Sequence, residues 1–113
     1  MNPVFVDTSV LIAAENVGGG ALYAATLDWL DLLWRRRSGR TSHQALVEFY
    51  DQVTTASQPM SQGDARAAIR RYQTWTPWKT DSATLETAWA VQARHQLDFG
   101  DCLAVACAQH SGC

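Results

Sequence analysis

The chain opens with Val4-Phe5-Val6, three β-branched or aromatic residues in unbroken succession, and then halts at Asp7-Thr8-Ser9 before Val10-Leu11-Ile12 resumes the apolar run. A short apolar segment without polar alternation is the pattern of a parallel strand covered on both faces. It predicts Asp7 at the carboxyl end of a buried strand, which is where open α/β sheets bind their ligands. A carboxylate in that place suits a hard divalent cation, which takes oxygen ligands, or the work of a catalytic acid. The competing local role is that of an N-cap, with Asp7 closing the first turn of a helix that starts at Thr8.

Beyond this stretch the chain is punctuated mostly as helices. Residues 8–15 form a short helix, and Gly18-Gly19-Gly20 is a flexible break. From Ala21 the residues Leu22, Thr26, Trp29 and Leu33 recur at helical spacing, and the segment ends in Arg35, Arg36 and Arg37, where cations suit the helix dipole. Arg40-Thr41-Ser42 reads as a second short strand. Residues 43–55 place Leu46, Phe49, Tyr50 and Val53 on one helical face, with Glu48 beside that stripe. Gln58-Pro59 breaks the pattern, and Ser61 or Asp64 caps a helix whose inner positions are Ala65, Ala68, Ile69 and Tyr72. Residues 75–80, with Pro77 among them, have the composition of an edge strand. Asp81-Ser82 opens a helix with Leu85, Ala88 and Trp89 along one side. Gly100-Asp101 then starts a last helix, apolar almost all round from Cys102 to Ala108 and therefore expected in the core.

Helices alternating with a few short strands indicate an α/β fold, a three-layer sandwich with a short parallel sheet flanked by helices. At 113 residues, 47% of them hydrophobic, the chain is long enough for one domain, residues 1–113, that buries roughly two-thirds of its unfolded surface. A net charge of -2 excludes a global basic field, so nucleic acid would have to be held by a local patch or a bound metal. Three cysteines without CxxC spacing exclude a disulfide framework and a zinc knuckle, and Cys102 and Cys107 read as small core residues. No apolar run approaches the roughly 20 residues of a membrane span, and no signal peptide is visible, so a reducing cytoplasm is expected.

Three carboxylates stand near predicted core elements: Asp7 at a strand end, Glu48 on the flank of a helix, and Asp101 at a buried helix start. An ionised carboxylate near a core is costly unless it is paired or metal-bound. Taken singly, Asp101 is a helix cap and Glu48 a solvated helix residue. Asp51 is expected to face outward, and Asp81 and Asp98 to serve turns and caps. Arg35 to Arg40 is a helix terminus that also offers the best local phosphate-binding patch.

Three segments together resemble a known family. Val4-Phe5-Val6-Asp7-Thr8-Ser9, Ala45-Leu46-Val47-Glu48-Phe49-Tyr50 and the run from Leu97-Asp98-Phe99-Gly100-Asp101 to Ala106 are similar, in order and separation, to PIN-domain ribonucleases of the VapC toxin type. The resemblance implies metal-assisted hydrolysis of RNA phosphodiester bonds. Asp7, Glu48 and Asp101 would be the catalytic, Mg²⁺- or Mn²⁺-binding acids, and Ser9 and Thr8 the hydroxyls that meet substrate. It also implies an antitoxin protein that places a basic side chain in the acidic pocket, and homodimerisation. In the family, the segment resembling Ser111-Gly112-Cys113 is followed by another strand and a further acidic pair. The pattern here therefore reads as short at its carboxyl end, with the edge of the first strand uncovered and prone to association.

Two other function classes fit the same residues. A non-catalytic PIN-like module would bind RNA or protein through an incomplete acidic set. A phosphotransfer domain also places an aspartate at a strand end, but a dehalogenase-like phosphatase needs a second aspartate where Ser9 stands. A receiver domain needs a lysine late in the chain, and the last one here is Lys79.

Overall fold

The computed structural model describes residues 2–76 and 78–113. Val4–Phe5 forms β1 and Gly39–Arg40 forms β2, paired in parallel with Val4 opposite Gly39 and Phe5 opposite Arg40. The helices are α1 (Thr8–Glu15), α2 (Gly20–Arg36), α3 (His43–Thr55), α4 (Gln62–Tyr72), α5 (Ser82–His95) and α6 (Phe99–His110), with a single 3-10 turn at Gln73–Trp75. The architecture is α/β, mostly helical around a short parallel sheet.

Local chemistry sets most of these boundaries. Ser42 caps α3 by accepting from the Ala45 N–H at 3.0 Å, and Ser61 caps α4 by accepting from the Asp64 N–H at 3.1 Å. Asp81 and Thr84 close a reciprocal capping box at the start of α5. The backbone N–H of Thr84, and then its hydroxyl, hold the Asp81 carboxyl below the ordinary aspartate range. After α2, α5 and α6 the chain turns left-handed. Arg37 adopts φ 53°, and the Ser38 N–H reaches back to the Leu33 carbonyl at 3.1 Å. Gly112, at φ 83°, allows the same kind of reversal after α6, with the Cys113 N–H on the Ala108 carbonyl at 2.9 Å.

The apolar side chains form two separate clusters. The larger joins Val6, directly after β1, to Leu11, Leu30, Leu33, Leu46, Phe49, Val53, Ala65, Ala68, Tyr72 and Trp75 of α1, α2, α3, α4 and the 3-10 turn. The smaller lies between α5 and α6 and consists of Ala88, Val91, Cys102 and Ala106, with Phe99 and Leu103 against it. Cys107 is buried like Cys102, as expected of small core residues.

Several expectations need correction. β1 is only two residues long and Val4 remains 37% exposed, so the strand is not covered on both faces; the one deeply buried residue of the run is Val6. In α2 the inner stripe is Thr26, Leu30 and Leu33, while Leu22 and Trp29 face outward at 66% and 58% exposure. Trp89 of α5 is likewise outside, because α5 turns Thr84, Ala88 and Val91 inward. Helix α6 is not buried all round, since Val105 is exposed.

The edge strand expected at residues 75–80 is absent among the described residues, and Pro77 lies outside them. Thr76 instead folds back, its hydroxyl donating to the Gln73 carbonyl at 2.7 Å. Trp75 is buried and stacks 4.4 Å from Trp34 and 5.7 Å from Tyr72, while its carbonyl accepts from the Thr41 N–H at 2.8 Å. Its indole lies directly on Gly39, where an added Cβ would overlap Cε2, Cζ2 and Cδ2 of the ring.

Gly39→Ala should therefore cost about 1–3 kcal/mol through overpacking, read as a lowered urea midpoint; an unchanged midpoint would mean that the indole yields freely. Burial, and then the neighbouring Glu15 carboxylate, push the Tyr72 hydroxyl up to about 12. Because the folded value is raised, this stability is fully present below the unfolded value of about 10 and is lost as pH rises toward the folded one. Thermal melts of the wild type should fall more steeply between those values than melts of Tyr72→Phe.

Candidate active site

Asp7 occupies the N-cap position of α1 in an extended conformation, φ -86° and ψ 168°. Its backbone carbonyl accepts from the Val10 and Leu11 N–H groups at 3.1 and 3.3 Å, but its side chain makes no capping hydrogen bond. The local role is thus discharged by backbone alone, and the carboxylate is left for other work. Asp101 lies in the first turn of α6, one turn past the N-cap position, which belongs to Asp98.

Asp7 and Asp101 line the same cavity, about 260 Å³ in volume, with Phe5, Ala104, Val105 and Ala108 as its apolar walls. None of these residues is basic, so neither acid meets a cation from the wall. Both are exposed, where burial near the core was expected. The reason is geometric. Asp7 points outward between the buried Val6 and Thr8, and α6 turns Cys102 and Ala106 inward, which places Asp101 on another face.

Glu48 is half-buried on α3 beside Phe49, and its Oε2 accepts from the Thr8 hydroxyl at 3.0 Å. The same hydroxyl lies 3.2 Å from the Ala45 carbonyl. Glu48 also borders α6, because a Cβ added to Gly100 would stand 3.8 Å from its Oε1. The carboxylate thus sits beside the first turns of two helices, where the helix dipole favours negative charge. Glu48 does not line the Asp7–Asp101 cavity, and among the described residues no three His, Cys, Asp or Glu side chains form a ready ligand cluster.

The expected set of three is therefore divided: two acids share a cavity and the third stands next to it. Thr8 is buried and committed to Glu48, which gives it a positioning part in place of the expected substrate contact, whereas Ser9 is exposed. Sequence reasoning took Gly100 as the start of the last helix but did not foresee that this start lies beside Glu48.

Several other charged groups are engaged elsewhere. Arg35 pairs with Asp31 at 3.0 Å, and Arg40 donates to the Arg37 and Gly39 carbonyls at 3.2 and 2.8 Å. His110 stacks on Trp78 at 4.6 Å. Two larger cavities, about 410 and 460 Å³, flank Glu15 at the far end of α1. In the first Glu15 is the single acid, and in the second Glu15 and Asp31 stand with Arg71, which bonds Glu15 at 3.3 Å. The Asp7–Asp101 cavity alone among these three sets two carboxylates together without a base.

The PIN domain family model matches residues 4–113. The chain belongs to the PIN domain family. No curated protein and no solved structure matches it. PIN domains are typically nucleases and commonly use divalent metals, and the acids placed together here suit that chemistry. Mg²⁺ is usually held by one or two carboxylates together with retained waters and substrate phosphates. Two exposed aspartates on one open cavity fit that donor set.

Thr8→Val keeps the shape of the side chain and removes the donor to Glu48. A loss of about 1.5–3 kcal/mol is expected on urea unfolding, the range for a bond to a charged acceptor, with Thr8→Ser retaining most of the stability; equal stability of Thr8→Val and wild type would remove the positioning role.

Proposed function

We propose that this PIN domain is a metal-dependent endoribonuclease resembling the toxin of a toxin–antitoxin pair. The observation that supports it is the convergence of Asp7 and Asp101 on one cavity with no basic side chain in its wall. Asp7 and Asp101 would hold Mg²⁺ or Mn²⁺, which when bound polarises a phosphodiester and lowers the pKa of a bound water. Glu48, fixed by Thr8, orients the attacking water from the side of the cavity. Ser9, exposed two residues after Asp7, positions a water or a phosphate oxygen.

The toxin-like role includes a protein partner that delivers a basic side chain to the acid pair, a homodimer, and a cytoplasmic setting. An apolar cleft of about 280 Å³ bordered by Val4, Val10, Leu22 and Trp29 supports a partner-covered face, since exposed apolar patches mark interaction surfaces. The three cysteines are free, and no single described helix is long and apolar enough to cross a membrane.

A second reading is a non-catalytic binding module, and the position of Glu48 outside the cavity favours it. Titration calorimetry with Mn²⁺ and incubation with total RNA separate the two. For the nuclease, Asp7→Asn and Asp101→Asn should each lower cleavage at least about 100-fold, the upper end of what even outer-shell changes cost at metal sites, with the fold intact. Binding of Mn²⁺ without cleavage by the wild type would favour the module.

A further inference from the structure

The basic residues missing from the acid cavity gather at another place. Six of the chain's nine Lys and Arg residues are Arg35, Arg36 and Arg37 at the end of α2, Arg40 in β2, and Arg70 and Arg71 in the last turn of α4. Aromatic packing brings these ends together. Trp34 and Tyr72 both pack on Trp75, at 4.4 and 5.7 Å, and the Arg71 guanidinium stands 6.0 Å over the Tyr72 ring. Arg40 follows Gly39, on which the Trp75 indole rests. Among the described residues the ion pairs here are Arg35 with Asp31 and Arg71 with Glu15, so Arg36, Arg37, Arg40 and Arg70 carry charge that no carboxylate offsets.

The helix dipole favours cations at a C-terminus, which accounts for the arginines of α2 and of α4 one helix at a time. It does not account for Trp34, which packs on Trp75, stays 38% exposed and lines the cavity of about 460 Å³ that Tyr72 and Arg71 also border. An open indole beside uncompensated guanidinium groups is the combination that binds single-stranded nucleic acid, with bases stacked on the ring and cations along the backbone.

We propose that the Trp34–Tyr72 cavity and the arginines around it are an anchor for single-stranded RNA, separate from the acid pair: a base enters against Trp34, and Arg36, Arg37 and Arg70 hold neighbouring phosphates. This rests on the reading of RNA as the substrate. Glu15 and Asp31, in the wall of the cavity, repel phosphate and accept from the amino groups of a base, which leaves the backbone to the arginines outside. Glu15 also ends the helix that Asp7 begins. The eight residues of α1 span about 12 Å, so a strand of a few nucleotides held at the anchor reaches the acids.

The test is fluorescence anisotropy of a labelled single-stranded RNA of about ten nucleotides, within the span such sites cover, titrated with the full chain in EDTA over a range of NaCl. Cleavage of total RNA in MnCl₂ is measured beside it. The single strand should bind without a divalent ion, and more tightly than a duplex of the same sequence. Arg36→Gln combined with Arg37→Gln should weaken binding and flatten the slope of log affinity against log salt by about 1.4, the share of two phosphate contacts on a single strand. Glutamine already takes the left-handed conformation of Arg37 at Gln96. Trp34→Leu should weaken binding about five- to 150-fold, the loss of one stacked base, with the slope unchanged. Trp34→Phe should recover most of it, Trp29→Leu, which removes an exposed indole elsewhere on α2, should change nothing, and Asp7→Asn should not weaken binding. No binding in EDTA, equal binding of the duplex, or wild-type affinity in Trp34→Leu or in the double arginine variant overturns the anchor, and cleavage by the wild type then leaves the nuclease reading standing. Binding with the expected pattern but no cleavage supports the anchor and overturns the nuclease reading alone.

Discussion

The Thr8 hydroxyl enters the interior from the first turn of α1 and meets α3 twice, at the Ala45 carbonyl and at the Glu48 carboxylate. Through it, the end of the short sheet, the start of α1 and the middle of α3 are held in one register. Thr41 serves the neighbouring chain segment in a similar way: its hydroxyl donates to the Val6 carbonyl at 2.8 Å, while its N–H takes the Trp75 carbonyl. A two-residue strand contributes little pairing by itself. These side-chain bonds do for the sheet what a longer ladder would do elsewhere, and Asp7 inherits its position from them.

Electrostatically the site is set apart from the rest of the surface. Glu15 has Arg71 and Asp31 has Arg35, but the cavity holding Asp7 and Asp101 has acids and hydrocarbon alone in its wall. In a chain whose net charge is only -2, this is local patterning more than bulk acidity. A polyanionic RNA would be repelled by such a cavity without a cation between them.

The sequence disclosed what local rules control. The bounds of α1 and α3, the Ser61 cap of α4 and the opening of α5 at Asp81 all follow from capping residues and apolar spacing within one turn. Which face of a helix turns inward depends on its neighbours, and there the pattern misled: Leu22 and Trp29 are as apolar as Leu30 and Leu33 but stay largely exposed at the rim of an open cleft. Trp75 looked like part of a strand because its composition was right. Only the bare backbone of Gly39, far away in sequence, made a 3-10 turn with a buried indole the better solution. For the site, the residue types and their order were visible, and the sharing of one cavity by Asp7 and Asp101 was foreseeable. That Glu48 would be held aside by Thr8, and that both aspartates would be exposed, depended on tertiary placement that no spacing rule encodes.

The separation of Asp7 and Asp101 along the chain bears on when the cavity comes into being during synthesis. Asp7 leaves the ribosome well ahead of Asp101, and the α1–α3 framework around it can pack as soon as α3 and Trp75 are available. The opposite wall, from Asp101 to Ala108, is carried by α6 and emerges only after every element of that framework. A nascent chain that has not yet reached α6 therefore carries only one side of this cavity, and Asp7 has no acidic neighbour across it until that helix has been made.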